Sequence, residues 1–141
     1  MGTRSSNRTL ALLFVAVALS AGCDALFNTG QDRAQNARIR VTGTSAGPLQ
    51  LILSNSFSAV PDLNTGQFIT VLTLADTFDL SLPIDRSYPL GVAERIFVRL
   101  TQPDSTREAD VTMRIHLDDR EVYQQRSILR GQFLEYQFTY Q

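Results

Sequence analysis

The sequence predicts an antiparallel β-sandwich, and three observations carry that prediction. From Arg38 onward, polar and apolar residues alternate with a period of two in segment after segment. Clusters of Gly, Pro, Asn, Asp and Ser separate those segments at the spacing of an all-β domain. No segment of the body sustains a helical period, and the chain contains no internal repeat.

Arg38-Ile39-Arg40-Val41-Thr42 reads as the first strand, half-buried by its alternation, and Ser45-Ala46-Gly47-Pro48 as a turn. Leu49 to Phe57 is the second strand, followed by a loop over Pro61-Asp62-Leu63-Asn64-Thr65-Gly66. Phe68 to Leu74, rich in β-branched residues, is the third. Phe78, Leu80 and Leu82 share one face of a fourth, which Pro83 ends. Pro83 to Gly91 is expected to be the longest irregular connection in the middle of the chain, with Tyr88 exposed in it. Arg95 to Leu100 is the fifth strand, and Gln102-Pro103-Asp104-Ser105-Thr106 turns the chain. Val111, Met113, Ile115 and Leu117 give the cleanest alternation, opposite Thr112, Arg114 and His116. Asp118-Asp119 turns into a seventh strand around Val122 to Ile128, and Arg130-Gly131 into an eighth from Phe133 to Tyr140. The fold class expected is all-β, an antiparallel sandwich of about 7–8 strands and immunoglobulin-like in architecture. The cysteine pair and core tryptophan of antibody domains are absent.

The chain has 141 residues, 43% of them hydrophobic and 19% charged, which is ordinary for one globular domain. Every basic residue is arginine. Without the first 22 residues, 119 remain, with 11 arginines against 14 acids. A body of that size builds a core without disulfides or metal, and its net negative charge argues against nucleic acid as a partner.

The first 23 residues form an address. Arg4 and Arg8 lie in a short polar segment, ahead of the unbroken apolar run Leu10 to Leu19 and the small residues Ser20, Ala21 and Gly22. That order is the order of a secretory signal peptide, expected as an N-terminal signal helix. Ten apolar residues span roughly 15 Å as a helix, about half a bilayer core. Leu19-Ser20-Ala21-Gly22-Cys23 resembles the lipobox of bacterial lipoproteins, with Ser20 where leucine is usual. The resemblance implies cleavage between Gly22 and Cys23 and a lipid on the Cys23 thiol, which makes the membrane a partner. It also accounts for a lone cysteine in an exported chain. The domain organisation expected is signal peptide 1–22, lipidated cysteine and flexible tether 23–37, and sandwich 38–141. The tether reaches about 20 Å as a coil. The implied location is the cell envelope. Asp24 resembles the inner-membrane retention signal of enteric bacteria, and inner and outer membranes both stay open.

Other signals in the body are weak. Gly43-Thr44-Ser45-Ala46-Gly47 matches the G-x-S-x-G elbow of serine hydrolases, and the sole histidine, His116, comes later. The elbow requires a strand-to-helix turn, whereas Pro48 and another strand follow here, so a plain turn is expected. His116 beside Asp118 and Asp119 lacks the further ligands that zinc needs. Asp62 to Gly66 begins like a calcium loop, but no terminal glutamate follows, and an Asx-type turn is expected. No catalytic residue, metal or cofactor is assigned. An outer-membrane barrel is disfavoured because most strands fall short of the roughly 9–11 residues that span a bilayer.

Arg38, Arg40, Arg95, Arg99 and Arg114 occupy polar strand positions. If their strands share a sheet, they form an arginine-bearing face for an anionic ligand, lipid headgroup or glycan. Acids such as Glu94, Asp110 and Glu135 offer salt bridges across a solvated surface instead. Arg40-Val41-Thr42-Gly43, Leu82-Pro83 and Ile115-His116-Leu117-Asp118-Asp119 resemble small mycobacterial β-sandwich envelope proteins that accompany lipid transporters, less a glycine usual in the late turn. The function expected is a tethered, non-catalytic interaction or assembly module with an envelope protein partner. Its candidate contacts are Tyr88 with the loop Pro83 to Gly91, and the C-terminal strand if it lies on an edge. The alternative is an anion binder using Arg95, Arg99 and Arg114.

Overall fold

The computed structural model describes residues 33–92 and 94–140, so Cys23, its lipobox and the signal segment lie outside the described residues. Eight strands build two four-stranded antiparallel sheets. They are β1 (Asn36–Ser45), β2 (Leu49–Pro61), β3 (Phe68–Leu80), β4 (Ile84–Pro89), β5 (Arg95–Thr101), β6 (Ala109–Leu117), β7 (Arg120–Leu129) and β8 (Phe133–Thr139). Sheet A has the order β4-β1-β6-β7 and sheet B the order β3-β2-β5-β8. The expected sandwich is present, and both sheets are open, each with two edges. The strand order is its own. An immunoglobulin constant domain pairs its first strand with its second, whereas β1 here lies between β4 and β6. The likeness is one of architecture.

The period of two read from the sequence is the period of burial. Ala37, Ile39 and Val41 of β1 meet Val111, Met113, Ile115 and Leu117 of β6 on the inner face of sheet A. Leu49, Leu51 and Leu53 of β2, with Ile96, Val98 and Leu100 of β5, line the inner face of sheet B. Each fully buried side chain of this kind contributes about 1.5–3 kcal/mol. The core is complete within Ala34–Gln141, which forms one compact unit. The domain starts earlier than residue 38, because Asn36 and Ala37 already pair in β1 and Ala37 is fully buried.

Two corrections concern the middle of the chain. The segments expected as third and fourth strands are one 13-residue strand, β3, since Ala75 and Asp76 continue alongside β2. The segment expected to be irregular is largely β4, an edge strand paired with β1 from Ile84 to Pro89. Its prolines mislead because Pro89 closes the strand and Pro83 precedes it, where a missing N–H breaks no ladder.

Both ends of the sandwich are tied by polar side chains. At one end Asp118, in the left-handed region with φ 49°, accepts from the backbone N–H groups of Gln35 and Asn36 and so fixes the start of β1. At the other, buried Gln102 donates from Nε2 to Ser45 Oγ (3.3 Å) and accepts from the Asp104 N–H (3.2 Å). The open sides are closed by side chains from opposing sheets. Arg86 of β4 stacks on Phe78 of β3, and the Tyr88 hydroxyl donates to Asp76 at 3.0 Å. Across the molecule, Tyr123 of β7 packs on Tyr136 of β8 with centroids 5.0 Å apart.

Candidate functional site

The hairpin of β2 and β3 is longer than the sheet it belongs to, and it bends. β2 pairs with β5 only as far as Ser54, opposite Phe97. Beyond it the β2–β3 register slips twice: Leu53 opposes Asp76, Ser56 opposes Leu74, and Phe57 opposes Leu72. An extra residue enters β2 and then β3, and such bulges bend and twist a ribbon. The bend is pinned at fully buried Ser54, whose Oγ donates to the Leu74 carbonyl and accepts from the Ser56 N–H.

The distal part of the hairpin, an arm from Ser56 to Leu74, folds onto the outer face of sheet B. Thr70 of β3 accepts a 2.8 Å bond from Gln137 of β8, although β3 and β8 are the opposite edges of that sheet. Phe57 of the arm covers Phe97 of β5 at 6.1 Å between centroids, and Phe97 is 1% exposed despite facing away from the core. Arg95 stacks on Phe57 and donates to the Asn55 carbonyl. Arg99 donates from Nε and Nη2 to Glu135 Oε2 (2.9 and 2.7 Å) and stacks on Phe97 and Phe133. Glu135 Oε1 accepts from Gln137, completing a polar chain from Arg99 to Thr70.

Once docked, the arm presents apolar side chains to water. Leu63 is 96% exposed, Phe68 73% and Leu74 72%, with Ile69 and Val71 nearly half exposed. From Ser54 to Ala75 the only charged residue is Asp62. Asp62 belongs to the tip: its carboxylate accepts from the Asn64 N–H and the Thr65 hydroxyl, and these bonds hold its pKa below the usual carboxylate range. The tip is thus the Asx-type turn the sequence suggested. Several large exposed apolar side chains on a small domain mark a candidate contact site, and here they lie along an edge strand, β3.

The residues expected to form one arginine site are not brought together. Arg95 and Arg99 lie on the outer face of sheet B and Arg114 on the outer face of sheet A, so the sandwich separates them. Arg95 is occupied at the base of the arm, against Phe57 and the Asn55 carbonyl, and Arg99 in its pair with Glu135. Tyr88 is half-buried rather than exposed, because β4 pairs with β1 and aims it across the gap between the sheets. Burial, and then its bond to Asp76, push its pKa up to about 12. The C-terminal strand β8 is an edge strand, with Tyr136 turned toward β7.

Sheet A carries further arginines on its outer face. Arg38 donates to both Asp85 oxygens at 2.7 Å, and Arg40 shares Asp85 at 3.3 Å. Arg126 makes a two-point pair with Asp110. Asp85 and Asp110 are held below the usual carboxylate range, chiefly by the bonds from these arginines. Arg114 stands directly opposite Arg40 across the β1–β6 ladder, exposed, with no acid within ion-pairing distance among the described residues.

The hydrolase-like pattern is a turn. Ser45 Oγ donates to the Gly47 carbonyl at 2.6 Å and receives the Gln102 amide. Ser45 opposes Ala109, whereas His116 lies seven residues along β6, on the order of 24 Å away at about 3.4 Å per residue. His116 Nε2 faces Glu121 at 3.6 Å. Among the described residues no three His, Cys, Asp or Glu side chains converge as metal ligands, and no helix is long and apolar enough to cross a membrane. No protein-family model, curated protein or solved structure matches the chain.

Proposed function

We propose that this protein is a lipid-tethered module of a bacterial envelope, which binds other macromolecules through the β2–β3 arm. The observation that carries the reading is the arm itself: a bulged hairpin, pinned at Ser54 and docked through Phe57 and Thr70, that holds Leu63, Phe68, Ile69, Val71 and Leu74 in solvent. A fold selected only for stability gains nothing from uncharged apolar side chains along an open edge, because they invite association. The order of charges, apolar run and small residues before Cys23 supports the tether.

The test is made in the native membrane. A photo-reactive residue at Leu63 or Leu74 is expected to capture a defined macromolecule, while the same residue at Arg126, on the other outer face, captures none. The N-terminal peptide is expected to carry acyl mass on Cys23. Equal capture from both faces overturns the binding reading, and an unmodified Cys23 overturns the tether.

One observation favours a second reading. Arg40 and Arg114 stand opposite each other with a single carboxylate, Asp85, shared between Arg38 and Arg40. This patch suits an anionic ligand at sheet A. Binding of anionic vesicles or glycans that weakens with salt and falls in Arg114→Ala supports that reading; binding equal in the variant refutes it.

A further inference from the structure

We infer that the outer face of sheet A binds a phosphate or sulfate group between the guanidiniums of Arg40 and Arg114. The inference rests on the reading of that face as an anion surface and names the chemical class of its ligand.

The register of the sheet puts the two arginines side by side. Ile39 and Val41 of β1, and Met113 and Ile115 of β6, face the core, so Arg40 and Arg114 between them face solvent. They are paired directly across the two central strands of the sheet, where opposed Cβ atoms lie about 4.5–5.5 Å apart. Like charges opposite each other destabilise a sheet, and an acid at either position would remove the cost. The chain instead keeps a cation on both sides.

The acids of this face are engaged at its flanks. Asp85 on the edge strand β4 takes Arg38 and the Nε of Arg40, Asp110 takes Arg126 at two points, and Glu121 faces His116. Arg114 has Arg40 on one side and Gln124 on the other, with Arg38 and Arg126 on the diagonals. Arg38, Arg40 and Arg126 each have a carboxylate; Arg114 has none within ion-pairing distance among the described residues. A face that is merely solvated interleaves its charges, as the Arg38–Asp85 and Arg126–Asp110 pairs do. The centre of this one does not.

The geometry of two opposed arginines selects the shape of the anion. A guanidinium presents a planar fork, and a carboxylate has one two-oxygen edge to match it. Arg38 with Asp85 and Arg126 with Asp110 are such one-to-one matches. Two forks facing each other across a ladder need oxygens on two sides of one group, which a tetrahedral phosphate or sulfate supplies. One pair further along, about 7 Å away on the same face, Thr42 stands opposite Thr112 and offers hydroxyls to the sugar or glycerol that carries the anion.

The test follows the arginine Nε–H signals by nitrogen-15 NMR of the full chain in maltoside micelles, at constant ionic strength. Inorganic phosphate and sulfate are expected to shift the Arg40 and Arg114 signals saturably, with acetate at least about tenfold weaker. Arg114→Gln is expected to weaken phosphate at least about tenfold and Arg126→Gln, on the same face, less than about twofold. Arg114→Lys, which keeps the charge and loses the fork, is expected to fall between them. Phosphate no tighter than acetate overturns the tetrahedral class. If anionic vesicles or glycans then still bind through Arg114, the anion surface remains and only its ligand changes; if nothing binds, both readings fall. Equal losses in Arg114→Gln and Arg126→Gln overturn the site, because the field of the whole face is then what attracts the anion. Competition by phosphatidylglycerol added to the micelles identifies a lipid headgroup as the source, and competition by glucose 1-phosphate alone identifies a phosphorylated glycan.

Discussion

Replacing Phe97 by alanine tests whether the arm is docked. Phe97 lies on the outer face of sheet B, and nothing in the core covers it. Its 1% exposure depends on Phe57 from the arm and on the Arg99 guanidinium 5.2 Å from its ring. A fully buried phenylalanine truncated to alanine costs about 3–5 kcal/mol. Here one wall is a hairpin that can settle into the space, so the expected loss is at the low end, about 3 kcal/mol. The aromatic pair adds a coupling of about 1 kcal/mol, so Phe57→Ala combined with Phe97→Ala falls short of additivity by that amount. Urea unfolding of the four members of the cycle measures both quantities, with the denaturant slope unchanged if the transition stays two-state. A loss below about 1 kcal/mol for Phe97→Ala means the ring is already solvated. In that case the arm swings free of sheet B, and the geometry argued for it is wrong.

Other expectations follow from the same contacts. Gly43 has φ 133°, and a Cβ there runs into the Asp110 carbonyl oxygen, so Gly43→Ala is expected to lose about 3 kcal/mol or more in thermal or urea unfolding; a loss under about 1 kcal/mol, by the same scale, refutes the close approach. Asp85 and Asp110 have depressed folded pKa values, so the stability they supply is full above the usual carboxylate range near 3.8 and is lost as pH falls below it. Unfolding followed from pH 6 downward is expected to show that loss, and Asp85→Asn to reduce it; an unchanged slope refutes the assignment. Tyr88 has its pKa raised to about 12, so its contribution is present below pH 10 and lost as pH rises through that window. Phenolate absorbance is expected to lose its latest-titrating component in Tyr88→Phe, a variant that costs about 1 kcal/mol for the bond to Asp76.

The sandwich was legible because burial follows the residue period wherever a strand has one wet face. Val111, Met113, Ile115 and Leu117 are buried as their alternation requires. The strand total came out at eight through two errors of opposite sign, one long strand divided and β4 passed over. Both have the same source: Ala75-Asp76 and the flanking prolines look like breaks locally, whereas pairing partners distant in sequence decide whether a strand continues. The arginine site failed for a related reason. Alternation tells which residues share a face of one strand but not which strands share a sheet, and β5 and β6 fall into different sheets. The arm had a visible signature in the uncharged run from Phe68 to Leu74. That run reads equally as a buried strand, and only the two bulges near Ser54 carry it out of the core. The turn at Ser45 was legible from the Ser45-Ala46-Gly47-Pro48 chemistry, which needs no long-range information.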